Sequence, residues 1–467
     1  MVASEAVPLA KTGGLADVLG ALPPALRALG DQVAVVMPLY GSVESKGMRR
    51  VYDRLPIYLG LARHEISIYL TRDEAVYLVD CPALYDRKSL YGEAGQDYPD
   101  NHIRFAVLAR AALAVARFLF KTDIFHCHDW QAGLLPAYLR TTFALDPSFL
   151  GTKTLFTIHN LGYQGIFPES ALEDVALDRS LFHPEGVEFF GKLSLLKSGI
   201  ALADALTTVS PSYAGEIQTP EFGFGMDGVL RARSEVLSGI LNGVDYREWN
   251  PETDLYLPAR YSARDLSGKC VCKEQLLSEM GLPAGAAERP LLAMVSRLAQ
   301  QKGIDLAASI ADDLVREDLY LVAQGTGDPE QEELLTKMAT THPDRIAVRL
   351  TFDNGLAHRI EAGADIFLMP SRYEPSGLNQ MYSLRYGTVP VVRAAGGLND
   401  TIDEGTGFKF ADETGQALLA AIREAARAYS QPETWKAMML RGMEKDFSWN
   451  RSAGAYSALY RRLLGKR

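Results

Sequence analysis

Two cations and a carboxylate follow predicted strands at the places where α/β proteins bind ligands. Arg297 and Lys302 come after the predicted strand Leu291–Val295, and Glu374 comes after Ile366–Met369. In a chain with a net charge of −10, such a cation pair indicates a diphosphate site. A carboxylate would repel phosphate, so Glu374 is expected to face a sugar. The alternatives are ordinary surface charges and a helix-start partner.

A glycine pair, Gly13–Gly14, follows Lys11 and opens another predicted helix. Glycines let the backbone approach a ligand, and a helix N-terminus offers unpaired N–H groups to an anion. Lys11 adds a mobile positive charge. A plain tight turn after the predicted strand Met1–Ser4 explains the segment equally well.

Two further glycine-containing segments differ in what they predict. Gly377 and Leu378 open the predicted helix Asn379–Gly387, whose first N–H groups can bind phosphate. Residues 223–228 match G-x-G-x-x-G, but no strand precedes them, so we predict a loop there and not a dinucleotide site.

Three histidines and an aspartate come at the ends of the predicted strands Asp123–Cys127 and Thr154–Ile158. They are His126, His128, Asp129 and His159. The carboxyl ends of parallel strands meet at one edge of a sheet, so this group is predicted to contact sugar hydroxyls. No second ligand pair with zinc spacing accompanies the histidines in the sequence, which favours structural or substrate-contact roles over metal binding.

The sequence also lacks several motifs of competing chemistries. It contains no Asp-x-Asp triplet, the carboxylate pair with which many transferases hold a metal-bound nucleotide diphosphate. With cations in that place, we expect the diphosphate to be bound without a metal and without any cofactor. The P-loop pattern and the G-x-S-x-G elbow are absent as well, which argues against a P-loop NTPase and a serine hydrolase.

Short β-branched runs alternate with helix-length segments along the chain, which predicts parallel sheets covered by helices on both faces. A turn cluster at Asn242–Pro251 divides this pattern into two halves of similar size. We therefore predict an α/β fold of two Rossmann-like, doubly wound domains that face a deep cleft. The predicted domains are residues 1–240 and 241–445, followed by a C-terminal helix within 446–467 that packs back on the first domain.

Composition narrows the class of protein. The 467 residues are 47% hydrophobic and 23% charged, as in globular proteins, and the excess of acidic residues argues against nucleic-acid binding. Four cysteines are too few for a disulfide scaffold and suit a reducing compartment. Phe105–Phe120, the most apolar stretch, is interrupted by two arginines and is too short to span a membrane. With no export signal at the N-terminus, we expect a cytoplasmic protein.

Seven segments, in order, resemble bacterial glycogen synthase, a member of the starch synthase family (glycosyltransferase family 5, with the GT-B fold). The resemblance covers the chain to about Asp403. The segments are Lys11-Thr12-Gly13-Gly14-Leu15-Ala16-Asp17-Val18, His126-x-His128-Asp129-Trp130, Thr157-Ile158-His159-Asn160, Leu241-Asn242-Gly243-Val244-Asp245, Ser296-Arg297-Leu298 with Gln301-Lys302-Gly303, Glu374-Pro375 with Gly377-Leu378-Asn379-Gln380, and Tyr386-Gly387-Thr388-Val389-Pro390.

This resemblance implies retaining transfer of glucose from ADP-glucose to the non-reducing end of an α-1,4-glucan such as glycogen. It implies catalytic roles for Glu374, Lys302, Arg297 and His159. The substrate-binding residues that it implies are Lys11, Gly13, Gly14, Asp129, Asn242, Phe352, Ser376, Gly377, Leu378 and Thr388. Within this set, Arg297 and Lys302 match the diphosphate-binding cations, and Glu374 matches the acidic residue at the donor glucose.

Three features depart from the family pattern. Ser376 stands where the family often has cysteine, and Phe352 stands where it often has tyrosine against the adenine. Phenylalanine keeps a stacking face but lacks the hydroxyl. The first strand is expected to be a few residues shorter than usual.

Other functions stay open at this point. A related transferase would use UDP-glucose or another acceptor, and a glucan phosphorylase would share the architecture but need pyridoxal phosphate. A glucan-binding regulator without turnover is the non-enzyme alternative, although such a protein has no need of Lys11, Arg297, Lys302 and Glu374 together. The sequence does not predict an oligomeric state.

Overall fold

The computed structural model describes residues 1–73, 75–93 and 95–466. The chain forms two compact units, which are described separately. The first consists of Met1–Gly243 with Trp449–Arg467, and the second is Val244–Ser448. These divisions fall three residues after the domain limits expected from the sequence, and the C-terminal segment belongs to the first unit.

The first unit is built on a mostly parallel sheet with smaller antiparallel additions. Its strands are β1 (Val35–Pro38), β2 (Arg49–Leu59), β3 (Ala62–Leu70), β4 (Val76–Asp80), β5 (Gly92–Glu93), β6 (Gln96–Asp97), β7 (Ile124–His128), β8 (Lys153–Ile158), β9 (Ile166–Pro168), β10 (Glu188–Phe189), β11 (Lys192–Ser194), β12 (Ala205–Thr208) and β13 (Leu237–Gly239).

Val2 joins two four-stranded sheets of this unit, β13-β12-β8-β7 and β1-β4-β3-β2. It forms parallel bridges to Cys127 of β7 and to Val36 of β1. Its N–H donates to the His126 carbonyl at 2.8 Å, and its carbonyl accepts from the His128 N–H at 3.0 Å. The strand predicted over Met1–Ser4 is thus reduced to a bridge at Val2. This bridge still connects β7 and β1 in parallel, so the Rossmann-like succession of parallel strands is kept.

The sequence pattern missed the antiparallel part of this sheet. β2 and β3 form a long hairpin, and β3 pairs antiparallel with β4. Much of β2 is exposed, so its residues lack the continuous apolar run by which buried parallel strands are recognised.

Helices cover this sheet, and the C-terminal helix is one of them. The helices of the first unit are α1 (Gly14–Ala28), α2 (Pro82–Tyr85), α3 (Asn101–Phe118), α4 (Leu134–Arg140), α5 (Ala171–Asp174), α6 (Leu195–Leu202), α7 (Pro211–Glu216), α8 (Asp227–Ala232) and, from the end of the chain, α18 (Trp449–Leu463). Helix α18 packs against α1 and buries Trp449, Ala453 and Tyr456 in the core of the unit.

The second unit contains a six-stranded parallel sheet. Its strands are β14 (Leu291–Val295), β15 (Tyr320–Gln324), β16 (Ile346–Arg349), β17 (Ile366–Met369), β18 (Val389–Arg393) and β19 (Phe408–Phe410). Their order is β16-β15-β14-β17-β18-β19, the doubly wound arrangement that the sequence predicted. The chain winds in one direction from β14 and in the other from β17, so the switch point lies between these two strands.

Apolar residues of the strands alternate between the two faces of this sheet. Leu292 and Leu368 belong to one hydrophobic cluster, whereas Ala293 and Phe367 belong to another. Because both faces are buried, the strands read as continuous apolar runs, and the predicted limits are close to the observed ones.

The covering helices of the second unit complete the two layers around the sheet. They are α9 (Ser267–Met280), α10 (Ile304–Ser309), α11 (Ala311–Arg316), α12 (Pro329–Thr341), α13 (Asn354–Gly363), α14 (Asn379–Arg385), α15 (Gly396–Thr401), α16 (Gly415–Tyr429) and α17 (Pro432–Glu444). Among the described residues of both units, no helix combines the length and the apolarity needed to cross a membrane.

A buried ion pair fixes α9 to the start of the two central strands. Lys273 Nζ donates to Asp365 Oδ2 at 2.7 Å and to the Arg289 carbonyl at 2.6 Å. The same Asp365 oxygen accepts the Leu291 N–H at 2.9 Å. The side chains of Lys273 and Asp365 are only 8% and 12% exposed.

Replacing the cation of this pair is expected to destabilise the protein strongly. K273M leaves the Asp365 carboxylate buried without its partner, which should lower the free energy of unfolding by about 3–5 kcal/mol. Urea unfolding of the full chain, followed by circular dichroism, measures this loss. The double variant K273M/D365N should recover part of the stability because it removes the uncompensated charge. The exposed Lys337 of α12 provides the control K337M, and a K273M protein as stable as this control would contradict the assignment.

Candidate active site

The loops after β14 and β17 lie together at the carboxyl edge of the second unit's sheet. Arg372 of the β17 loop donates its N–H to the Gln301 carbonyl at 2.8 Å, and Gln301 Nε2 donates to the Tyr373 carbonyl at 2.9 Å. The Arg372 guanidinium forms two bonds to Asp305, at 2.8 and 2.7 Å. These cross-links hold the two loops as one structure.

The central contact of this edge joins Lys302 and Glu374. Lys302 Nζ donates to Glu374 Oε2 at 2.6 Å, and Ser371 Oγ donates to the same oxygen at 3.0 Å. The Glu374 side chain is 7% exposed and that of Lys302 is 20% exposed. The structure therefore brings together the cation predicted for a diphosphate and the carboxylate predicted for a sugar. Ser371 was missed by the sequence reasoning, although it directly follows the strand and Pro370.

Two glycines allow the backbone to make this approach. Gly303, next to Lys302, has φ +67°, and a Cβ there would lie 2.1 Å from the Pro370 carbonyl oxygen. Gly396 has φ +44°, and a Cβ there would lie 2.0 Å from the Glu374 carbonyl oxygen. Both positions combine a left-handed backbone with a neighbouring chain that leaves no room for a side chain.

The other predicted residues of the second unit mostly share this edge. Arg297 is exposed just beyond β14, and Phe352, 80% exposed, lies in the loop between β16 and α13. Ser376 is buried, with Oγ donating to the Gly377 carbonyl at 3.3 Å. Gly377 has φ +62°, and Leu378 is the N-cap of α14.

Thr388 differs from this group and requires a correction. It directly precedes β18, so it lies at the amino edge of the sheet, opposite to Glu374. Its buried hydroxyl accepts from Lys269 Nζ at 2.7 Å and donates to the Glu361 carbonyl at 2.5 Å, with the Ala364 carbonyl oxygen 3.0 Å away. The predicted substrate contact does not fit this position, because the Thr388 hydroxyl is buried and hydrogen-bonded within the protein at the edge opposite to Glu374.

In the first unit, the glycine pair has the predicted place at the start of a helix. Gly13 is the N-cap of α1 and Gly14 is its first residue. Lys11 is 45% exposed and forms an ion pair with Asp17 at 2.7 Å. The turn is held by Glu5, whose carboxylate accepts from the Thr12 hydroxyl at 3.0 Å and from the Thr12 N–H.

Glu5 is the second residue that the sequence reasoning missed. It is 4% exposed, and burial raises the pKa of its carboxyl group. Tyr91 donates to its Oε1 at 2.9 Å. The sequence feature that could have identified Glu5 is an acidic residue between the apolar start of the chain and the glycine turn.

Asp129 and His159 follow the neighbouring parallel strands β7 and β8. Asp129 Oδ1 accepts the His159 N–H at 2.7 Å. Asp129 has φ +56° and ψ −176°, a strained backbone conformation that is largely confined to glycine. Burial raises the pKa of Asp129 to about 7 and lowers that of His159 to about 3, so the imidazole is neutral at physiological pH.

His159 ends a group of three adjacent imidazoles. His128 Nδ1 lies 3.0 Å from His159 Nε2, and the rings of His126 and His128 lie 4.0 Å apart. His126 Nε2 bonds to the Thr157 hydroxyl at 2.6 Å. Asn242, after β13 of the same parallel sheet, is buried, and its Oδ1 has no hydrogen-bond partner in the described part of the chain. No cluster of three or more potential metal ligands occurs among the described residues.

Two Rossmann-like units in one chain, with a cation and a carboxylate paired beside a switch point, are typical of glycosyltransferases of the GT-B class. Family models agree: residues 1–232 match the starch synthase catalytic domain, and residues 284–438 match the glycosyl transferases group 1.

Individual relatives identify the family within this class. The chain is 53% identical to a glycogen synthase of Anaeromyxobacter sp. (strain Fw109-5), covering 99% of this chain and 98% of the relative. It is 48% identical to a glycogen synthase of Myxococcus xanthus, covering 100% and 99% of the two chains. The protein belongs to the glycogen synthase family.

Solved structures support this conclusion. The catalytic domain of starch synthase IV from Arabidopsis thaliana, bound to ADP and acarbose, has a TM-score of 0.91 and 32% identity. The alignment covers 100% of this chain and 99% of that one. Sucrose-phosphate synthase from Thermosynechococcus elongatus, at 18% identity, has a TM-score of 0.61 over 99% and 98% of the chains and shares the fold.

The raised pKa of Asp129 predicts how D129N changes stability with pH. The carboxyl titrates at 3.8 when unfolded and at about 7 when folded, so its stabilising contribution is complete below pH 3.8 and is lost as the pH rises through 7. D129N removes this loss. Its free energy of unfolding, relative to that of the wild type, should therefore rise by about 1–3 kcal/mol from pH 5 to pH 8.5, a range that is discounted for partial exposure.

Urea unfolding at the two pH values provides the measurement for D129N. The exposed Asp123 offers a matched control, since the difference in free energy of unfolding between D123N and the wild type should be the same at both pH values. A difference between D129N and the wild type that does not change with pH would refute the burial of an ionisable Asp129.

Proposed function

We propose that the protein is a glycogen synthase that transfers glucose, with retention, from ADP-glucose to the non-reducing end of an α-1,4-glucan. The observation that carries this proposal is similarity over essentially the whole length to glycogen synthases, at up to 53% identity. The paired Lys302 and Glu374 support it, because they join a phosphate-binding charge to a sugar-binding one.

Arg297 and Lys302 are assigned to the diphosphate of the donor. The ammonium group of Lys302 has three N–H donors, and the hydrogen bond to Glu374 uses one of them. The two others can point to phosphate oxygens. The cations then stabilise the negative charge that accumulates on ADP as it leaves.

Glu374 is assigned to the donor glucose. The two hydrogen bonds from Lys302 and Ser371 both end on Oε2 and fix the carboxylate plane. Oε1 is then available for a sugar hydroxyl, and the negative charge favours the oxocarbenium character that develops at the anomeric carbon.

The first unit is assigned to the sugar and acceptor side of the reaction. His159 is neutral and supplies a hydrogen bond, not a proton, to the substrate. Asp129 holds the His159 backbone, and Asn242 has an amide oxygen left for a ligand. Lys11, at the start of α1, adds a cation for the sugar nucleotide.

The proposed step breaks the bond between the anomeric carbon and the β-phosphate oxygen of ADP-glucose. The 4-hydroxyl of the acceptor forms the new bond from the same face. Its proton passes to an oxygen of the departing diphosphate, so that ADP and an α-1,4-linked glucose are the products. No side chain is required as a nucleophile.

Adenine is the proposed base of the donor. Phe352 is highly exposed at the same sheet edge as Glu374 and presents an aromatic face for stacking. The related starch synthase IV structure has ADP bound. The unpaired cysteines suit a reducing compartment, so we assign the reaction to the cytoplasm.

The first test measures incorporation of labelled glucose into glycogen. The wild type should use ADP-glucose in preference to UDP-glucose. E374Q should lose at least about 100-fold in kcat/KM, because the amide removes the charge that acts in the transition state. E404Q, at an exposed position, is the control. Incorporation by E374Q at the wild-type rate would refute the role of Glu374, and no incorporation from either donor by the wild type would refute the function.

The second test concerns the proposed absence of any cofactor. Because cations of the chain are assigned to the diphosphate, incorporation from ADP-glucose should be unchanged within about twofold in excess EDTA. The assay compares EDTA-treated enzyme with and without added Mg²⁺. Loss of activity in EDTA that Mg²⁺ restores would show that a metal shares this task.

A further inference from the structure

His159 and His128 share a single hydrogen-bonding proton. His128 Nδ1 and His159 Nε2 are 3.0 Å apart, and their ring centroids are 5.3 Å apart. Burial lowers the pKa of both imidazoles, so each ring carries one N–H. One of the facing nitrogens must donate and the other must accept. The nitrogen of His159 that remains for a ligand is Nδ1, and the direction of this bond decides whether Nδ1 is a donor or an acceptor.

The surroundings of His128 decide the direction. Its Nε2 is fully buried and has no hydrogen-bond partner in the described part of the chain. If Nδ1 donates, Nε2 is an unpaired acceptor; if Nδ1 accepts, Nε2 carries an unpaired buried N–H. Among buried backbone groups, unpaired N–H donors are rarer than under-satisfied acceptors, and we apply the same preference to the ring nitrogens. The first arrangement, donation from His128 Nδ1 to His159 Nε2, is therefore favoured.

The position of His128 is itself fixed by neighbours distant in sequence. The His126 ring lies 4.0 Å from it, and the two nitrogens of His126 bond to the Tyr460 hydroxyl at 2.7 Å and to the Thr157 hydroxyl at 2.6 Å. The backbone N–H of His128 donates to the Val2 carbonyl at 3.0 Å. These contacts hold the ring in the orientation that the bond to His159 needs.

We propose that His128 is a positioning residue that fixes the tautomer of His159, so that His159 presents Nδ1–H as a hydrogen-bond donor to an oxygen of the sugar nucleotide. The inference deepens the proposed function and rests on it for the identity of that ligand. His159 is partly exposed, unlike His126 and His128, and no hydrogen bond within the described part of the chain ends on its Nδ1. A neutral N–H recognises a hydroxyl or phosphate oxygen without transferring a proton.

The tautomer can be measured without any assay of activity. Long-range proton–nitrogen NMR on the full chain with ¹⁵N-labelled histidine distinguishes a protonated from an unprotonated ring nitrogen, and H159Q assigns the resonances. The expected result is a protonated Nδ1 and an unprotonated Nε2 in His159, with a protonated Nδ1 in His128. A protonated Nε2 in His159 would overturn the proposal whatever the activity of the His128 variants.

Variants of His128 then test the consequence for catalysis. H128N places an amide N–H at the position of Nδ1, whereas H128L removes the donor. H128L should lose about 5- to 10-fold in kcat/KM, the ratio that one net hydrogen bond carries, and H128N should recover part of it. H64L, on the hairpin strand β3, is the matched control and should keep the wild-type value.

A double variant separates positioning from general damage. If His128 acts through His159, H128L should have no further effect on kcat/KM in an H159A background. Equal losses in both backgrounds would overturn the proposal. If the wild type transfers no glucose, the proposed function fails, while the NMR result still decides the tautomer.

Discussion

The pairing of β14 with β17 is the constraint on which the second unit's candidate site depends. These strands pair in parallel at Leu292–Ile366 and Ala293–Phe367, so both end at the same edge of the sheet. Asp365 fixes the other end of the pair through the Leu291 N–H. A register shift of one residue would reverse the faces of one strand and move its loop, so Lys302 and Glu374 depend on this pairing for their contact.

The first unit uses the same principle with different side chains. Its parallel strands β7 and β8 end in Asp129 and His159, whose contact is a backbone N–H to a carboxylate. The adjacent imidazoles behind them take the place that the ion pair has in the second unit. The first unit thus offers the neutral imidazole of His159 together with the cation of Lys11, and the second unit offers the paired charges of Lys302 and Glu374.

Much of this could be predicted because buried parallel strands have a clear sequence pattern. β14 and β17 were predicted with their observed limits, and Arg297, Lys302 and Glu374 followed from being next to strand ends. The hairpin β2–β3 was missed because its first strand is largely exposed. Thr388 was misassigned because a family segment shows which residues recur together and not at which edge of the sheet each one lies. Partners distant in sequence, such as Ser371 at Glu374 or Tyr460 at His126, follow only from tertiary structure.

We infer that Lys302 and Glu374, which are joined by a salt bridge, act on the donor as one unit. A double-mutant cycle in kcat/KM for ADP-glucose, with K302M, E374Q and K302M/E374Q, measures their coupling most directly. We expect strong non-additivity, with the double variant little worse than the more damaged single variant, because the salt bridge positions both groups for the same transition state. Losses that simply add in the double variant would contradict it.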